Sequence, residues 1–327
     1  MKNIAILMGG YSGECEISLR SGAVITEALD KSLYTCYPIS ILKEGWFYTS
    51  SEGEKYHVDK NDFSINLEGE KIIFDCCYNT IHGTPGEDGK LQAYLELLGI
   101  PQTSCDSYES AITFNKRDCI AVLQPWDIKT GDHIYINRND EVDIDKIVDR
   151  VGLPCFVKAN RSGSSYGVSK VYNEEEMQDA LDFAFQVDHQ IIIESFLEGK
   201  EVSVAVYQIG DEIKSFPPTE IVTENDFFDY EAKYQGKSKE ITPARISERE
   251  LKKLQEISKK VYQVLELKGI ARADFIYHRG RPHFIEMNTN PGMSKESIVP
   301  QQIAASGFSL TEVLTEVIED CIKRNKL

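Results

Sequence analysis

The first 104 residues alternate between strand-like and helix-like apolar patterns, and nothing else in the chain constrains its fold so strongly. NIAILM reads as a buried strand and CEISLRSGAVITEALDK as a helix. YTCYPISI and KIIFDCCY read as strands, and KLQAYLELLG as a helix. Helices that alternate with strands cover the faces of a parallel sheet, so this part is predicted to be an α/β unit. A polar stretch from Lys43 to Glu70 interrupts it and reads as a loop with a short hairpin.

Further units are expected, because 327 residues exceed one typical core. Residues 105–194 read as a smaller α+β unit, with helices DCIAVLQ, DIDKIVDRV and EEEMQDALDFAF and strands HIYI, LPCFVKA, GVSKVY and QIIIE. Residues 195–327 begin with strands EVSVAVYQI and IKSFPPTEIV, then enter a polar segment from Thr223 to Arg245. Its length exceeds that of ordinary connections, which makes it a candidate lid. Leu251, Leu254, Ile257, Val261, Val264 and Leu265 mark a helix by their spacing. ARADFIYH and RPHFIEMN form a hairpin about Arg279-Gly280-Arg281, and a C-terminal helix closes the chain.

Hydrophobic residues make up 41% and charged residues 27%, ordinary values for a globular protein. No apolar run approaches the length of a bilayer span, and the apolar stretch in MKNIAILMGG is too short for a signal peptide. The eight cysteines lack C-x-x-C spacing and lie mostly in apolar segments, which points to free thiols and a cytoplasmic location. A net charge of −17 argues against a nucleic-acid partner, whose phosphates demand basic surface.

The chemistry concentrates at the end of the hairpin, in HFIEMNTNPGMSKES. Side chains alternate along a strand, so Glu286 and Asn288 point the same way, and Asp274 on the preceding strand can join them. Two carboxylates and a carboxamide oxygen suit a hard cation such as Mg²⁺, completed by phosphate oxygens and water. Arg272 faces the same side as Asp274; it either stabilises developing negative charge or pairs with that carboxylate. In FVKANRSGSSYGV, a strand delivers Lys158 into a turn of Ser162, Gly163, Ser164, Ser165 and Gly167. Such a turn crowds N–H groups round an anion, or is simply an exposed hairpin end. Glu14, at the start of the first helix, either complements the helix dipole or holds an ammonium group. His82 in IHGTPGEDGKLQ stands at a strand's C-terminal end, where open α/β sheets bind ligands, although its neighbours equally suit a helix cap. Lys233 and Tyr234 lie in FDYEAKY, within the polar segment.

Together these motifs resemble the D-alanine–D-alanine ligase family of the ATP-grasp superfamily. The resemblance spans essentially the whole chain: GGYSGECEISLRSG, HGTPGEDGKLQ, NKRD, VKANRSGSSYGVSK, IIESFLEGKEVSV, YEAKY, ARADF and EMNTNPGMSKESIVP occur in family order. It implies an α/β (α+β) ATP-grasp protein of three domains. These are a Rossmann-like parallel-sheet domain over 1–104, a central subdomain over 105–194 and a C-terminal subdomain over 195–327 with metal site and lid. The implied reaction joins two D-alanines through an acyl phosphate, at the expense of ATP, for peptidoglycan precursor synthesis.

The same resemblance implies residue roles. Lys116 and Lys158 contact ATP phosphates, Glu194, Phe196 and Leu197 line the adenine site, Glu201 holds the ribose, and Lys233 reaches the γ-phosphate. Asp274, Glu286 and Asn288 hold two Mg²⁺ ions, or Mn²⁺ in their place. Glu14 takes the first D-alanine's ammonium, linked by hydrogen bonds to Ser164 and Tyr234. Arg272 and the Gly292 N–H stabilise the oxyanion, and Ser297 meets the second D-alanine's carboxylate. A cytoplasmic homodimer is expected. Two departures stand out: Ala159 replaces the proline usual after the phosphate lysine, and Lys295-Glu296 occupies a place where the family often has small residues or His. The alternatives are an acceptor such as a D-hydroxy acid and a catalytically silent nucleotide-binding regulator. The intact set of Lys158, Arg272, Asp274, Glu286 and Asn288 argues against silence.

Overall fold

The computed structural model describes residues 1–223 and 238–325. Lys233, Tyr234 and most of the expected lid lie outside the described residues.

Strands β1 (Lys2–Gly9), β2 (Tyr34–Leu42), β3 (Gly45–Thr49), β4 (Lys55–Asp59), β5 (Ser64–Leu67), β6 (Glu70–Ile72) and β7 (Cys76–Asn79) form one sheet, in the order β6-β5-β4-β3-β2-β1-β7. β1 runs apolar without alternation because both its faces are covered. Ile4, Ile6 and Met8 meet Ile25 of helix α1 (Cys15–Ala28) on one face; Ala5 and Leu7 meet Leu91 and Leu95 of α2 (Lys90–Leu97) on the other. Only β2, β1 and β7 are parallel. The stretch expected to be a loop with a short hairpin is a longer antiparallel extension, β3 to β6. Each of these strands spans five residues or fewer and turns few side chains inward: Phe47, Val58, Ile65 and Ile72, packed with Phe63 and Phe74. Such short amphipathic strands carry little periodicity.

Helices α3 (Ser107–Phe114) and α4 (Lys116–Leu123) lead into a second sheet. It contains β8 (His133–Asn137), β9 (Cys155–Ala159), β10 (Val168–Val171) and β11 (Gln190–Ser195), antiparallel in the order β10-β9-β11-β8. Helices α5 (Ile144–Val151) and α6 (Met177–Val187) pack on it through Ile147, Val151, Leu181 and Ala184.

The third sheet has the order β15-β14-β12-β16-β17, with β13 also on β12. Its strands are β12 (Gly199–Ile209), β13 (Glu212–Ser215), β14 (Thr219–Thr223), β15 (Ser238–Ile241), β16 (Ile270–His278) and β17 (Arg281–Asn288). The run IKSFPPTEIV is two strands rather than one, because Pro217 and Pro218 offer no N–H to a ladder. β15, inside the expected lid segment, is an edge strand on β14. Helix α7 (Glu248–Val264) opens with a Ser247–Glu250 capping box and buries Leu254, Val261 and Tyr262. The expected single C-terminal helix is two, α8 (Ile298–Ala305) and α9 (Leu310–Arg324). Ser309 and Glu312 cap α9, which returns to the first sheet and buries Val313, Leu314, Val317 and Ile318 against Ile4 and Ile6.

Candidate active site

β12, β16 and β17 lie side by side and put a polar row on one face. The register aligns Ser203 with Asp274 and Glu286, and Ala205 with Arg272 and Asn288. The β16–β17 register shifts after Asp274, leaving Ile285 as an extra residue. That bulge turns both Ile285 and Glu286 toward a cavity between the second and third sheets. The Asp274 carboxylate accepts from Ser203 Oγ (2.6 Å), Arg272 Nε and Nη2 (2.9 and 2.7 Å) and Asn288 Nδ2 (3.0 Å). The pairing of Arg272 with Asp274 foreseen from sequence is therefore present, and Arg272 also lines the cavity. Among the described residues no cluster of three or more His, Cys, Asp or Glu gathers round a point. Two carboxylates and a carboxamide on one face fit a Mg²⁺ ion that takes its remaining ligands from phosphate oxygens and water.

This first cavity, about 120 Å³, is lined by Lys116, Lys158, Glu194, Leu197 and Glu201 together with Asp274 and Glu286. Lys158 on β9 donates to Glu194 Oε2 on β11 at 2.8 Å. Burial alone would lower the lysine's pKa, but the charge and hydrogen bond of Glu194 hold it above the ordinary value. Lys116, the first residue of α4, donates to the Ser162 carbonyl at 2.7 Å and lies 3.6 Å from Glu286 Oε2. Phe196 does not line the cavity; it stands behind Phe156, with ring centroids 6.2 Å apart and Lys170 Nζ 4.3 Å from its ring. The Ser-rich turn contains two non-glycine residues in left-handed conformation, Ser164 (φ 48°) and Ser165 (φ 58°). Such conformations cost about 1–3 kcal/mol and cluster where geometry serves function.

A second cavity, about 240 Å³, adjoins the first, and Arg272 and Glu286 line both. Glu14, His82, Glu87, Ser164, Asn288, Gly292 and Ser297 share it. Ser164 Oγ donates to Glu14 Oε1 across 150 residues of sequence. A Cβ on Gly163 would stand 3.1 Å from Glu14 Oε2, and one on Gly292 2.8 Å from Ser297 Oγ, so bare glycines permit both approaches. Burial, aided by the Arg272 charge, holds His82 below its ordinary value. Burial and the Glu14 charge push the Glu87 carboxyl up to about 8, although the Gly83 N–H donates to it at 2.6 Å. Arg20 and Glu240 also line this cavity and were not read from sequence. Arg20 follows Ile17, another lining residue, by one helical step, a signal available in the sequence. Glu240 lies in a four-residue strand, where no signal was available.

Two antiparallel sheets that close on a cleft, with lysines on one side and an acidic strand pair on the other, make this an ATP-grasp protein. Residues 3–105 match the family model for the D-ala D-ala ligase N-terminus, and residues 122–319 the model for its C-terminus. The chain is 55% identical over 319 residues to a D-alanine--D-alanine ligase of Flavobacterium johnsoniae, covering 98% of this chain and 99% of that one. Among solved structures, the VanG D-Ala:D-Ser ligase of Enterococcus faecalis is 31% identical, with TM-score 0.88 over 98% of this chain and 99% of the other. A D-alanine--D-alanine ligase of Bacillus anthracis complexed with ATP is 26% identical, with TM-score 0.81 over 100% and 99%. The chain belongs to the D-alanine–D-alanine ligase family. No helix among the described residues is long and apolar enough to cross a membrane.

Proposed function

We propose that the protein joins two D-alanine molecules into D-alanyl-D-alanine, forming ADP and phosphate, as a step in peptidoglycan precursor synthesis. The observation that carries this reading is the junction of the two cavities at Arg272 and Glu286. A nucleotide in the first would then meet an amino acid carboxylate in the second. Lys116 and Lys158 bind phosphate oxygens, Glu194 and Leu197 border the adenine, with Phe196 behind them, and Glu201 takes the ribose. Asp274, Glu286 and Asn288 would hold two Mg²⁺ ions, which when bound would supply positive charge to the phosphoryl oxygens.

Glu14, fixed by Ser164, holds the first D-alanine's ammonium and so aims its carboxylate at the γ-phosphate. The product of that transfer is an acyl phosphate. Ser297 at the start of α8 receives the second D-alanine's carboxylate, and its free amine attacks the acyl carbon. Arg272 and the Gly292 N–H stabilise the tetrahedral oxyanion, which collapses with loss of phosphate. Lys233 and Tyr234 complete the site in this reading, at the γ-phosphate and in the hydrogen-bond chain with Ser164 and Glu14. We further infer a cytoplasmic homodimer with the domain limits near residues 104 and 194. Eight free cysteines agree with a reducing compartment. The test is to supply ATP, Mg²⁺ and D-alanine and to measure phosphate and dipeptide by mass. Equal amounts of both are expected; phosphate without dipeptide would sink the assignment.

A further inference from the structure

We infer that Glu240 is a specificity-determining residue for the acceptor, a carboxylate that receives the ammonium group of the second amino acid. The inference rests on the ligase reading above. β15 brings Glu240 to the wall of the second cavity that also carries Glu296, Ser297 and Ile298. Gln301, on α8, holds it there: its Nε2 donates to Glu240 Oε2 at 2.6 Å and to the Glu296 carbonyl at 3.0 Å. The clamp thus ties the carboxylate to the residue that immediately precedes Ser297. An α-amino acid whose carboxylate sits at Ser297 has its ammonium one carbon away, within the same part of the cavity.

Glu14 is a separate group, bound by Ser164, and is engaged by the first D-alanine in this mechanism. Glu240 gives the second zwitterion a carboxylate of its own. Burial raises the Glu240 carboxyl above its ordinary value, while the Gln301 hydrogen bond and the Arg272 charge oppose the rise. The cavity wall as a whole carries Glu14, Glu87, Glu240, Glu286 and Glu296 against Arg20 and Arg272. A hydroxy acid brings the same anionic carboxylate as D-alanine and no ammonium to offset it. Glu240 therefore selects amine over hydroxyl acceptors.

The experiment uses the full chain with ATP, Mg²⁺ and equimolar D-alanine and D-lactate near neutral pH, with peptide and ester separated by mass. Peptide from the unmodified enzyme tests the ligase reading by itself; neither product would sink that reading independently of Glu240. Glu240→Gln should raise the KM for the second D-alanine roughly tenfold, the scale of one charge–charge contact in a partly screened site. It should raise the ester-to-peptide ratio and leave the KM for ATP unchanged, and Glu240→Asp should restore the original ratio. An unchanged acceptor KM and ratio in Glu240→Gln would overturn the inference. Should that variant not fold, Gln301→Leu, which keeps the carboxylate but releases it, should shift both quantities the same way. No shift there would overturn it equally.

Discussion

Glu286→Gln and Asp274→Asn each remove one carboxylate from the same strand pair, yet their effects on stability should differ widely. Asp274 receives four hydrogen bonds, two of them from Arg272, and the two side chains are only 9% and 17% exposed. Asparagine would set an NH₂ against one of these donors and remove the Asp274 charge from beside a largely buried guanidinium. Breaking one partner of such a pair costs about 3–5 kcal/mol, which for a domain of this size lowers Tm by roughly 6–20 °C. Glu286 is 25% exposed and stands 3.6 Å from Lys116, beyond a direct hydrogen bond. At that separation the contact with Lys116 is worth about 0–1 kcal/mol, so its loss alone should lower Tm by less than about 4 °C. Turnover is a different matter. Both carboxylates face the transferred phosphoryl group in the proposed mechanism, and losing either should slow phosphate release by about 10²-fold or more. Phosphate release at saturating Mg²⁺, with thermal melting of the same samples, separates the two quantities. Near wild-type turnover in folded Glu286→Gln would refute the metal assignment, and identical melting of the two variants would refute the packing argument.

Glu87 predicts a pH effect: its carboxyl is raised from 4.5 to about 8, so its stabilisation is full below pH 4.5 and is lost as pH rises through about 8. Glu87→Gln, which mimics the protonated form, should flatten the decline of Tm across that window, and parallel curves would contradict the burial argument. Gln302 is fully buried, donates to the Ser203 carbonyl (2.8 Å) and Thr219 Oγ1 (3.0 Å), and accepts from the Ala205 N–H (2.8 Å). Gln302→Leu leaves those backbone groups unsatisfied, at about 1–3 kcal/mol each, and should lower Tm by several degrees; an unchanged melt would count against it. Lys158→Met should raise the KM for ATP at least about tenfold and also lower Tm, because Glu194 is left buried and unpaired. ATP binding equal to wild type would remove Lys158 from the phosphate site.

The polar face of the hairpin was legible because it depends only on alternation: Arg272 and Asp274, and Glu286 and Asn288, each sit two residues apart. The bulge at Ile285 was not, since one extra residue in a ladder leaves no mark on composition. β3 to β6 escaped for the same kind of reason, being too short for a period to register. The glycines of the Ser-rich turn marked it as a tight turn, but the left-handed Ser164 and Ser165 carry no such residue signature. Glu87 and Glu240 gain their character from burial in a cavity assembled by distant segments, and only the folded chain contains that information.

The central claim is that the first D-alanine's carboxylate is phosphorylated where the two cavities meet, and ¹⁸O transfer tests it most directly. D-alanine labelled with ¹⁸O in its carboxylate would be turned over with unlabelled ATP, and the inorganic phosphate analysed by mass spectrometry. An acyl phosphate that breaks at the acyl carbon carries one carboxylate oxygen away with the phosphorus. The account predicts one ¹⁸O in each phosphate released per dipeptide formed. Dipeptide accompanied by phosphate free of ¹⁸O would contradict it.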